Sequence, residues 1–78
     1  MNAMEKYKDL DGDSGVVAYK IGSDSITVEF GKGATYLYNY ESTGSSHIEK
    51  MKELAVKGDG LNRYINKYVK KLYVANLR

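Results

Sequence analysis

From Val16 to Tyr40 apolar and polar residues alternate, and the alternation is broken twice by glycine-bearing turns, Gly22-Ser23-Asp24-Ser25 and Gly31-Lys32-Gly33. A period of two suits a strand with one covered and one solvated face, and turns this short join neighbours antiparallel. The stretch predicts a meander of three strands, Val16 to Ile21, Ile26 to Phe30 and Ala34 to Tyr40. Its second turn decides which side each residue takes. If Gly31 to Gly33 form a three-residue loop with Gly33 left-handed, Phe30 faces Ala34, Val28 faces Tyr36 and Ile26 faces Tyr38. Tyr36, Tyr38 and Tyr40 are then core. A two-residue loop slips the pairing by one and turns the same tyrosines onto the polar face, as a stacking platform for unpaired bases. The three-residue loop uses both glycines and keeps every large apolar group on one side, so the core placement is expected. The first turn agrees, setting Tyr19 opposite Val28 and Val17 opposite Phe30.

Beyond Tyr40 the period changes. Ser46-His47-Ile48-Glu49 has the spacing of a capping box, which predicts a helix start. Ile48, Met51, Leu54 and Ala55 make its apolar stripe, Glu53 and Lys57 pair one turn apart, and Gly58 suits its C-terminus. After Asp59-Gly60, the residues Leu61, Tyr64, Ile65, Tyr68, Val69 and Leu72 recur at helical spacing and predict a second helix through Leu72. Strands followed by helices define an α+β domain, β-β-β-α-α, with both helices on one face of the meander.

Composition narrows the function. A chain of 78 residues holds one domain, read here as residues 14–74, preceded by an acidic segment 1–13 expected to be partly flexible and followed by a tail 75–78. Met1-Asn2-Ala3 reads as a vector remnant ahead of Met4. With no Cys there is no disulfide, thiolate nucleophile or Cys-based zinc site, and a single His, His47, makes no catalytic metal cluster. No cofactor and no metal are expected. No apolar run approaches a membrane span, so a cytoplasmic protein is expected. Eight Tyr and one Phe, with no Trp, must supply the aromatic surface. On periodicity Tyr19, Tyr64 and Tyr68 belong to core faces, while Tyr7 and Tyr73 are peripheral.

Charge is uneven although the formal net is only +2. Residues 1–13 carry four acids against two lysines, whereas residues 61–78 carry five basic groups and no acid. Arg63, Lys67, Lys70 and Lys71 project from the second helix opposite its apolar stripe, as a solvated face or as a phosphate-binding one. Asp9-Leu10-Asp11-Gly12-Asp13 begins like a calcium loop, but the glycine position falls on Ser14 and the bidentate glutamate position on Lys20. It reads as an acidic turn. No nucleophile–base pair, carboxylate pair or phosphate loop is present, so the chain is expected not to be an enzyme.

Two stretches bear a resemblance. Phe30-Gly31-Lys32-Gly33-Ala34-Thr35-Tyr36-Leu37-Tyr38, with its central Y-x-Y, and Gly58…Asn62…Ile65 resemble the KTSC family over roughly residues 14–74. That family is named for a short domain at the C-terminus of some lysyl-tRNA synthetases and also occurs as free-standing small bacterial or phage-borne proteins. Its usual Val-Pro after the third strand is replaced here by Glu41-Ser42-Thr43-Gly44, which leaves the path into the first helix open. The synthetase association implies RNA. Joined to the charge asymmetry, it gives the expectation of a non-enzymatic module binding nucleic acid through Arg63, Lys67, Lys70 and Lys71. The alternative is a protein-interaction module or homodimer, formed through a free strand edge or the open sheet face.

Overall fold

A computed structural model of the chain describes residues 4–10 and 15–77. The residues read as a vector remnant, 1–3, and most of the acidic turn, 11–14, lie outside them. The fold is α+β. Strands β1 (Glu5–Lys6), β2 (Val16–Ile21), β3 (Ser25–Phe30) and β4 (Thr35–Asn39) lead to helices α1 (Tyr40–Thr43), α2 (Ser45–Lys57) and α3 (Leu61–Tyr64). A π-helix, Ile65–Val69, continues α3, and β5 (Ala75–Asn76) ends the description. The sheet runs β1-β2-β3-β4-β5, every pairing antiparallel.

The expected meander is therefore the middle of a five-stranded sheet rather than a sheet of three. Its extra strands come from segments too short and too polar to carry a period. Glu5–Lys6 pairs with Tyr19 and Ala18, and Ala75–Asn76 pairs with Leu37 and Tyr36.

The decisive loop has three residues. Ile26 faces Tyr38 and Val28 faces Tyr36, the Phe30 amide donates to the Ala34 carbonyl, and Gly33 has φ 95°. Tyr38 is buried in the core and Tyr36 packs against it. Tyr40 departs from the expectation: it leaves the strand, opens α1 and is exposed. Asn39 captures the chain there, its side chain accepting from the Ser42 amide in the reciprocal capping box of α1. The box expected at Ser46 and Glu49 is not formed. Helix α2 starts from Gly44 with no side-chain cap, and Glu49 instead accepts from the Tyr40 hydroxyl and from Lys52. The Tyr40 hydrogen bond and then that of Lys52 hold the Glu49 carboxyl below its ordinary range, and the same contact raises Tyr40. Glu53 pairs with Lys50, not Lys57.

In β2 the pairing of Tyr19 with Val28 holds, but a bulge between Val16 and Ala18 puts Val16, not Val17, opposite Phe30. Val16 is consequently buried and Val17 exposed. With Ile26, Val28 and Tyr38, Val16 forms the sheet's contribution to the core; Ile48, Met51, Ala55, Leu61, Ile65 and Val69 form the helices'. Tyr7, expected at the periphery, is 3% exposed, and its hydroxyl accepts from the Leu61 amide at the start of α3. Gly58 ends α2 with φ 82°, and the Leu10 amide donates to its carbonyl. A Cβ there would stand 2.5 Å from Cβ of Lys8, so the position needs glycine twice over, for its backbone and for the strap that crosses it.

The second helix is where periodicity misled most. One turn of α-helix gives way to i→i+5 bonding. Leu61, Ile65 and Val69 are buried in the core, and Tyr64 packs against it partly buried. Tyr68 (49% exposed) and Leu72 (41%), which an α-helix would bury, are turned out.

Candidate nucleic-acid interface

The π-helix ends beside the β3–β4 loop, and between them lies a groove of about 560 Å³. Each wall follows from the local structure already described. Phe30 reaches it because the three-residue loop keeps that residue on the helix side of the sheet, and Tyr36 reaches it three residues beyond the loop. The β2 bulge brings Val17 to the same end. Past Val69 the chain turns back, held by the Leu72 amide on the Val69 carbonyl and by the Thr43 hydroxyl on the Leu72 carbonyl. That turn delivers Tyr73 onto β4. The Val74 amide then donates to the Leu37 carbonyl and the Leu77 amide to the Thr35 carbonyl, which fixes the segment.

The floor is aromatic. Tyr36 and Tyr73 have ring centroids 4.6 Å apart at 38°, Phe30 meets Tyr36 edge-on at 5.9 Å, and Tyr73 meets Tyr38 edge-on at 6.3 Å. Lys32 lies on the loop side of this floor, Lys70 and Lys71 on the side of the π-helix, and no described lining residue is acidic. Burial, with smaller contributions from Tyr36 and Tyr73, pushes the Tyr38 hydroxyl up to about 12. Such a site can hold a flat ring against aromatic carbon while binding an anion at its rim.

The expected basic quartet is divided. Lys70 and Lys71 line the groove, whereas Lys67 holds its ammonium 5.3 Å from the centroid of Tyr68 and, like Arg63, is not among the lining residues. All four are exposed. Tyr68 belongs to a separate cluster, stacked on Tyr64 at 4.7 Å, and the Tyr64 hydroxyl lies 2.7 Å from Nδ1 of His47. The three strand tyrosines are divided too, Tyr38 in the core and Tyr36 packed against it, both lining the groove, and Tyr40 on the surface of α1. Lys32, Tyr73, Phe30 and Asn66 were not singled out from the sequence as site residues. Only Lys32 carried a signal, a cation at the tip of a hairpin whose flanking residues face the helices.

Among the described residues no group of His, Asp or Glu side chains is arranged to hold a metal ion, and no helix is long and apolar enough to cross a membrane. Compared with models of protein families, with curated proteins and with solved structures, the chain matches none.

Proposed function

We propose that the chain is a non-enzymatic module that binds single-stranded RNA in this groove, stacking a base on Tyr36 and Tyr73 and holding phosphates with Lys32, Lys70 and Lys71. The observation that carries the reading is the coincidence of an aromatic floor with a rim whose described charged groups are all cationic. Aromatic stacking and backbone neutralisation are the two contributions by which proteins hold unpaired strands. A duplex would not reach the floor. The resemblance to the KTSC family, with its synthetase association, favours RNA over DNA.

Three lysines on a single strand give a slope of log K against log salt of about −2. Arg63 and Lys67 add little, because neither lines the groove. Fluorescence anisotropy with a labelled octanucleotide tests this. The Lys70→Glu, Lys71→Glu double variant is expected to weaken binding more than tenfold and to flatten the slope, and Tyr36→Ala or Tyr73→Ala to cost about 1–3 kcal/mol. Unchanged binding in the double variant overturns the reading.

A second reading, a homodimer formed through the sheet edge, draws on β5. It is an outer strand, and Val74 and Leu77 beside it are 48% and 52% exposed.

A further inference from the structure

Among the groove's lining side chains Asn66 is singular, because it is neither aromatic, aliphatic nor charged. Lysine ammoniums only donate, and the floor is mostly ring carbon. A carboxamide presents a donor and an acceptor side by side in one plane. The π-helix accounts for its place: with Ile65 and Val69 stacked on the core, the next pair along the spiral, Asn66 and Lys70, falls together on the groove side. A π-turn is uncommon and is frequently found at functional sites.

We infer that the groove takes an unpaired adenine nucleotide, with Asn66 as the residue that reads the base. The inference rests on the groove being an RNA site and names its ligand. Adenine shows an amino donor at N6 beside an acceptor at N7, the complement of a carboxamide, whereas guanine shows two acceptors there. Cytosine and uracil have smaller ring faces to lay over the Tyr36–Tyr73 pair. Lys70, adjacent to Asn66 on the groove side, and Lys71 take the flanking phosphates, so base reading and backbone holding fall to different side chains.

The test compares octauridine with the same strand carrying one central A, G or C, against the wild-type chain, Asn66→Ala and the Lys70→Glu, Lys71→Glu variant. Asn66 is exposed, so its removal leaves the fold intact. The wild type is expected to bind the A-bearing strand about tenfold more tightly than octauridine, and Asn66→Ala to bind all four strands within about twofold. The lysine variant is expected to weaken all four while keeping the preference for A. Equal binding of the four by the wild type, preference for G, or a preference for A that survives in Asn66→Ala overturns the inference and leaves the RNA reading standing. No binding of any strand at low salt removes both.

Discussion

Tyr38 bears on stability and on the site together. It sits opposite Ile26, 1% exposed, with its hydroxyl pushed up to about 12 chiefly by burial. An unfolded tyrosine ionises near 10, so the folded state holds the proton more tightly. The resulting stabilisation is complete below pH 10 and is lost as pH rises from about 10 to about 12, because there the unfolded chain is the one that has released its proton. Tyr64, raised by its own burial, adds a smaller contribution of the same sign. Urea midpoints across this range are expected to fall steeply for the wild type and more gently for Tyr38→Phe. Equal slopes would mean that the Tyr38 hydroxyl is not desolvated as its burial implies.

At the scale of elements, the π-helix decides which residues are core. Val69→Ala removes a fully buried side chain and is expected to cost about 2 kcal/mol in a urea titration, while Leu72→Ala, at a half-exposed position, costs under about 1 kcal/mol. A regular α-helix through Leu72 would make the two losses comparable. The same element marks the limit of what the sequence shows. Strands β2 to β4 were legible, and so was the register of β3 with β4, because the period of two and the paired glycines of the Gly31–Gly33 loop act within a few residues. The apolar positions 61, 65 and 69 were legible as well. The switch to i→i+5 bonding was not, since Tyr68 and Leu72 continue an α-period on paper and only the burial of Val69 in the core rejects it. Asn39 as a cap was hidden by Tyr40, whose place in a Y-x-Y-x-Y alternation argues for strand. The one-residue bulge at Val17 leaves no trace in so short a strand.

In the whole molecule, the two ends of the chain complete the fold. β1 and β5 cover the outer edges of the meander, each for two residues, and Tyr7 locks the first end onto α3 while Tyr73 brings the second across the groove. Short outer strands are a common way to blunt an edge. The candidate site depends on this closure, because its floor joins a strand tyrosine to one 37 residues later, its rim joins a hairpin lysine to two at the end of the π-helix, and no local pattern links them. Half the basic residues singled out from the sequence line the groove, and its aromatic partner Tyr73 became visible only with the return of the chain. The most direct test of the account is a titration of the ¹⁵N-labelled protein with a single-stranded RNA octamer, followed through amide shifts. The account predicts changes gathered at Lys32, Tyr36, Asn66, Lys70, Lys71 and Tyr73; no change at low salt, or changes confined to β5 or to Arg63 and Lys67, would contradict it.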